Sequence, residues 1–498
     1  MRKYPKYQGG FIWDFVDQAL HRHPSKSSIT GITSKTSNTS IEYTYGGDYN
    51  SYDPSDNNFN CNGLVSPDRV PNPEMYEVGY FYQNIWAETV DIQKGVISVR
   101  NENFFKDLSN VRMKWCLLAD GIPVADGTVD NLDVAPQQSR NYTLPLPLKD
   151  NYADKELLLN IDFVLKNAEP LMTSGQVVAY RQLTVSEDSH HAANDLTSAK
   201  IKVKEDKKAQ EVLVQTGDVK LVFDRATGFL CHYEAAGKQL LGEGGTIKPN
   251  FWRAVTDNDM GAGIQRRYRA WRNPTLKLTA FEAKKVKTKQ GEKYVNVSAV
   301  YDMPEVKAQL RMDYAILPGG RMMIHETMNV ADSAKVADML RFGVVIQLPY
   351  DMDKSAFYGR GPIENYADRK ESQRIGIYEQ TADEQFYPYI RPQETGTKSD
   401  IRWWKQTDEA GKGLNISSHH KLYMSALHYN VEDLDEGNDK KQRHVQDVLK
   451  SKYTNLFIDS EHAGVGGINS WSMEGFALPK YQVKYGNKRF GFFIDIER

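Results

Sequence analysis

From about Thr89 to the C-terminus, apolar residues recur at every second position in short runs broken by turn signals, and a period of two confines this stretch to β-sheet. Val96-Ile97-Ser98-Val99-Arg100 shows the pattern, as do residues 111–118 before Asp120-Gly121, 157–165 and 176–185. Strands at that spacing over roughly a hundred residues predict an immunoglobulin-like β-sandwich, placed at 85–188. The polar run Ser186-Glu187-Asp188-Ser189-His190-His191 then interrupts the pattern and reads as a linker. Beyond it the runs are longer and more numerous: 212–214, 219–223 before Thr227-Gly228, 308–317 before Gly319-Gly320, 322–330 and 492–496. Helical periods are few there, so residues 189–498 are expected to form one large sandwich of antiparallel sheets.

Residues 1–84 differ. Phe11-Ile12-Trp13-Asp14-Phe15 reads as a buried strand whose preceding Gly9-Gly10 allows close packing, a Ser/Thr-rich stretch covers 25–44, and residues 73–86 read as a helix. That mixture suggests an α/β remnant ahead of a mainly β chain. Several domains are also what length demands, because 498 residues exceed the ~250–300 that one core serves. With 63 Lys+Arg against 65 Asp+Glu the net charge is -2, which argues against nucleic acid or an acidic membrane as partner. Lys284-Lys285-Val286-Lys287 and Asp439-Lys440-Lys441 lack interleaved aromatic residues and read as solvated strand face or loop. A neutral ligand fits better, and 28 Tyr with 8 Trp supply rings of the kind on which a pyranose stacks and which equally fill β-sheet cores. Cys61, Cys116 and Cys231 are far apart, so they form neither a disulfide framework nor a metal motif and leave the compartment open. No apolar run approaches the ~18 residues of a membrane helix, so a soluble protein is expected.

Taken singly, the chemistry-bearing residues have structural readings. Trp13 fits a core, Asn62-Gly63 a turn, Asp257-Asn258-Asp259 a capped turn in preference to a metal loop, and Trp471 either a sandwich core or an exposed platform. Their surroundings add more. The segment Gln8-Gly9-Gly10-Phe11-Ile12-Trp13-Asp14-Phe15-Val16-Asp17-Gln18 resembles the last strand of the catalytic barrel in the β-galactosidases of glycoside hydrolase family 2. The resemblance continues in order through Tyr45-Gly46-Gly47-Asp48, Asn58-Phe59-Asn60-Cys61-Asn62-Gly63-Leu64-Val65 and Asp257-Asn258-Asp259-Met260-Gly261. It then takes in Gly359-Arg360-Gly361-Pro362-Ile363-Glu364-Asn365-Tyr366-Ala367-Asp368-Arg369, Arg391-Pro392-Gln393-Glu394-Thr395-Gly396 and Gly466-Gly467-Ile468-Asn469-Ser470-Trp471-Ser472.

That resemblance implies a remnant of a (β/α)8 barrel at 1–84, then the immunoglobulin-like sandwich, then a galactose-mutarotase-like supersandwich. It implies that Trp13 floors a galactose subsite across a cis Trp13–Asp14 peptide, that Asn62 bonds a galactose hydroxyl, and that Trp471 faces the aglycone. Gly261 would open a loop that moves over the occupied site. Asn62 and the Phe59 carbonyl would ligate a sodium ion, a monovalent site only partly present, with magnesium or calcium expected only in the full-length enzyme.

The resemblance also shows what these residues do not supply. Retaining hydrolysis needs two carboxyl groups about 5–5.5 Å apart. In the family both belong to earlier barrel strands, and no Glu-Tyr-Ala-His motif occurs here. Asn101-Glu102, the only Asn-Glu pair, falls in the sandwich, whereas Glu364 and Glu394 fall in motifs where a polar network holding loops is expected. No catalytic residue is therefore assigned, and the chain by itself is expected to bind a galactoside but not cleave it. Two rival readings are a carbohydrate-binding module complementing a separate N-terminal chain, and a mutarotase-like enzyme in which His325 and Glu364 converge on a sugar.

Overall fold

A computed structural model describes residues 4, 6–22, 43–49, 61–148, 152, 154–187, 200–288, 291, 293–331, 335–439 and 441–498. Phe59, most of the Ser/Thr-rich stretch and most of the expected linker lie outside them.

The alternating runs form strands where the period places them. Ile85–Asp91, Val96–Asn101 and Ser139–Thr143 make a three-stranded sheet. Facing it are four strands in the order Ile122–Val129, Val111–Ala119, Leu157–Leu165 and Val177–Ser186. Val111, Met113, Trp115 and Leu117 point into the shared core while Arg112 and Lys114 point away. The Leu157–Leu165 strand is apolar on both faces for a physical reason: Leu159, Ile161 and Phe163 fill that core, and Leu158 packs outward with Leu118 against Tyr358 and Ile375.

Tyr358 and Ile375 belong to the second unit, an antiparallel sheet system of seventeen strands among the described residues, from Ile201–Asp206 to Lys488–Glu497. Its main core is a cluster that includes the fully buried Trp252, Trp271 and Trp404, and a smaller cluster gathers around Phe386, Tyr429 and Phe457. The junction between the units is polar as well as apolar. Arg402 and the Tyr358 hydroxyl both donate to the buried Glu156, Arg374 pairs with Asp162 at 2.5 Å, and Gln182 bonds the Ile375 backbone in both directions. The Lys284-Lys285-Val286-Lys287 segment lies in the Lys277–Lys287 strand with its lysines outward.

Two expectations need correction. Residues 73–86 are not one helix: α1 spans Pro73–Tyr82, and Trp86 sits in the Ile85–Asp91 strand opposite Arg100. The cause is Gln83, which turns extended and bonds the backbone of Tyr180 through both ends of its carboxamide, so the chain leaves the helix to join the sandwich. Phe11–Phe15 is not a buried strand either. The segment runs beside residues 62–65, with Asp14 N–H donating to the Asn62 carbonyl and Val65 N–H to that of Phe15, and shares one isolated bridge between Val16 and Val65. No further described strand flanks it, so Phe11, Ile12, Trp13 and Phe15 stay exposed. The Trp13–Asp14 peptide is cis, as the resemblance implies.

Candidate functional site

An open cavity of about 1460 Å³ separates the N-terminal segment from the large sheet system, and Trp13, Asn62 and Trp471 all line it. Positions more than four hundred residues apart in sequence thus share one surface. Trp13 is 72% exposed and Trp471 70%, so neither is the core residue that each could have been. Each brings a large aromatic surface to the border of the cavity. The Asn469 side-chain oxygen fixes the chain at Trp471 by accepting from the Trp471 and Ser472 N–H groups at 3.2 and 3.0 Å.

Asn62 is held through its backbone, whose carbonyl accepts from Asp14. Next to it, Gly63 meets a requirement that no other residue could: an added Cβ would lie 2.1 Å from the Asp17 nitrogen. Asp17 accepts from the Gly63 N–H at 2.7 Å and from the Asn72 amide at 3.3 Å, and burial raises its pKa despite both bonds. This carboxylate therefore braces the Asn62 loop.

Gly261 does not line the cavity. It ends α2, Asp257–Gly261, where an added Cβ would lie 1.9 Å from the Ser470 carbonyl oxygen, so it supports the Trp471 segment from beneath. The acidic triplet is used structurally. Thr256 and Asp259 form a reciprocal cap at the start of α2, Asp259 pairs with the fully buried Arg253, and Asp257 pairs with Arg391, which also holds Glu436 at 2.7 Å.

Sequence gives Arg369 no role of its own, whereas Glu364 and Glu394, which also line the cavity, are expected to hold loops in a polar network. Arg369 bridges Glu74 of α1 at 3.1 Å and Glu364 at 2.5 Å, tying the N-terminal segment to the large sheet system. Glu364 also accepts from the Tyr389 hydroxyl at 2.5 Å, the Thr395 hydroxyl at 3.0 Å and the Gly396 N–H at 2.7 Å. For Glu394, burial by itself would raise the pKa, but Arg341, His462 and Arg253 outweigh it and hold the carboxyl at about 2. A signal existed for this: an arginine and a glutamate five positions apart in a Gly/Pro-rich loop, at 364 and 369, cannot be assigned to a solvated strand face. His325 is absent from the cavity wall and packs instead over Gly491 on the neighbouring strand, so it does not converge with Glu364.

Comparison with known proteins gives this arrangement its class. The family described as "Glycosyl hydrolases family 2, TIM barrel domain" matches residues 1–87, and "Beta-galactosidase, domain 4" matches 97–186. "Beta galactosidase small chain" matches 215–494. The chain belongs to the β-galactosidases of glycoside hydrolase family 2, as a C-terminal part of such a protein. It is 30% identical over 491 residues to a beta-galactosidase of Priestia megaterium, covering 98% of this chain and 44% of that protein. A beta-galactosidase of Halalkalibacterium halodurans is 28% identical over 502 residues, covering 100% and 46%. The chain thus spans less than half the length of these relatives. Among solved structures, galactose 1-epimerase from Lactobacillus acidophilus NCFM covers 60% of this chain and 98% of its own at 9% identity and a TM-score of 0.33, from which nothing about activity follows.

Proposed function

We infer that these residues form the substrate-gripping side of an enzyme that hydrolyses terminal β-D-galactosides with retention. Trp13 stacks on the galactose ring, Asn62 bonds one of its hydroxyls and Trp471 meets the aglycone. The observation that carries this reading is the convergence of the three on one cavity. Bond cleavage belongs to carboxyl groups outside this set. A retaining enzyme needs one carboxylate free to attack and one able to donate a proton. Glu364 is occupied by four donors, and Glu394, held at about 2, is too weak a base and too strong an acid for either task at neutral pH.

Asn62 suits a hard monovalent ion, because it offers a neutral carboxamide oxygen. Phe59 lies outside the described residues, so the fit of a sodium site rests on Asn62 alone. Sodium there would add one positive centre for substrate hydroxyls. Magnesium or calcium belongs, on this reading, to the remaining part of the full-length enzyme.

A second reading keeps the same residues and makes the chain a module completed by a separate polypeptide. It is favoured by the exposed Phe11, Ile12 and Phe15 beside the cavity, which a further barrel strand would cover. No described helix is long and apolar enough to cross a membrane.

The test has two arms. The purified chain should release no chromogenic aglycone from a β-galactoside, and sustained turnover would overturn the division of labour. A non-hydrolysable thio-β-galactoside should bind and quench tryptophan fluorescence, with binding lost in Trp13→Ala. Turnover restored by adding a polypeptide with the missing barrel strands would select the second reading.

A further inference from the structure

A much smaller hollow, about 60 Å³, lies away from the sugar cavity where α1, the immunoglobulin-like sandwich and the large sheet system meet. Its walls come from Tyr80 of α1, from Tyr180, Arg181 and Thr184 of the Val177–Ser186 strand, and from Arg360 and Arg374. A space needs ~10–15 Å³ to hold one water, so this one admits several waters or one small polyatomic ion.

Its charges decide between those occupants. Three guanidinium groups reach the hollow, and two of them are compensated: Arg374 by Asp162, and Arg360 by Asp400, which Lys370 shares at 3.1 Å. Arg181 is different. It has no carboxylate partner among the described residues, it donates only to the Tyr80 hydroxyl, and its Nε is buried without a hydrogen-bond partner. The rings of Tyr80 and Trp86, 6.0 and 5.9 Å from its guanidinium carbon, hold the group in place but do not neutralise it. A cation with a buried, unmet N–H beside a polar hollow calls for an acceptor carrying negative charge.

We propose that this hollow binds a small tetrahedral oxyanion of the phosphate or sulfate class, with Arg181 as its counter-charge. Arg360 and Thr184 flank the ion, and because its walls belong to all three parts of the molecule, the ion fastens them together. Glu371, an exposed carboxylate on the wall, opposes it, as does the charge of Glu77, which accepts from the Glu371 and Ser372 N–H groups at 3.0 and 2.9 Å.

The site is independent of the galactoside reading, and so is its test. Inorganic phosphate is titrated calorimetrically into the full chain, with ionic strength held constant by chloride, and sulfate is used as competitor. One saturable site per chain is expected, accompanied by a rise in Tm. Arg181→Gln should weaken binding ~tenfold or more, as loss of a charge-assisted partner does. Glu371→Gln, at an exposed position that does not endanger folding, should strengthen it. Absence of saturable binding by the unaltered chain overturns the proposal, as does an affinity unchanged in Glu371→Gln or in a folded Arg181→Gln protein.

Discussion

Glu326 allows a quantitative test of how this core treats charge. It sits on the Met322–Val330 strand between Met312 and Phe490 of the adjacent strands, with no exposed surface and no hydrogen bond to either carboxylate oxygen. Burial raises its pKa well above the ordinary 4.5, and the charge of Asp459 adds to the effect. Because the folded-state value is the higher one, the unfolded chain releases this proton first as pH rises. Stability then falls by ~1.4 kcal/mol for each pH unit between the two values. Each such step is a substantial share of the 5–15 kcal/mol typical of a domain. Glu326→Gln keeps the shape and removes the titration. Urea unfolding followed through the buried Trp252, Trp271 and Trp404 should therefore give nearly equal stabilities at pH 5 and a variant whose advantage grows above it by up to ~1.4 kcal/mol per pH unit. Titrating groups that do not act on Glu326 cancel in the difference, and Asp459, whose charge does act on it, steepens the change as it ionises. A constant offset across that range, or a variant weaker at pH 7, would mean that Glu326 is ionised in the folded protein and would refute the reasoning.

Other substitutions probe the rest of the molecule. Glu394 has the opposite sign: its folded value of about 2 lies below 4.5, so its contribution is present above pH 4.5 and is lost as pH falls toward 2. Glu394→Gln should thus cost ~3 kcal/mol at pH 7 and far less at pH 3, measured by the same unfolding curves. Arg402→Ala leaves Glu156 buried at the junction of the two sheet units with only Tyr358 as side-chain donor, and should lower stability by ~3–5 kcal/mol in scanning calorimetry. Gly261→Ala forces a Cβ onto the Ser470 carbonyl and should cost ~1–3 kcal/mol, with faster amide exchange at 470–472; unchanged exchange there would show that α2 does not support Trp471.

The strands were legible because a period of two survives at the level of single residues. Residues 322–330 were read from alternation after Gly319-Gly320, and the strand has those bounds. The run at 157–165 is equally plain, since a strand packed on both faces needs little more than continuous apolar sequence. Where the reading failed, the deciding partner lay far along the chain. Gln83 leaves the helix for Tyr180, and nothing between residues 73 and 86 announces it. Phe11–Phe15 carries the sequence of a central strand, but pairing, not apolar content, buries a strand.

The site shows the same division more sharply. Spacing says nothing about positions 13, 62 and 471 meeting, because they lie on loops, where no period links sequence to direction. Only the motifs around them brought them together, and the motifs carry no information about Arg181, which lies outside every one of them. Buried charges are a different case, and alternation does expose some of them. Met322, Ile324, Glu326 and Met328 share one parity, and all four are fully buried, so a glutamate in phase with three apolar residues is already a prediction of an acid inside the core. Arg181 carries the same cue, being in phase with the buried Ala179 and Leu183, yet it remains partly exposed at a seam between units. What a period cannot encode is which surface another unit will cover, and Arg181 lies where three such surfaces meet.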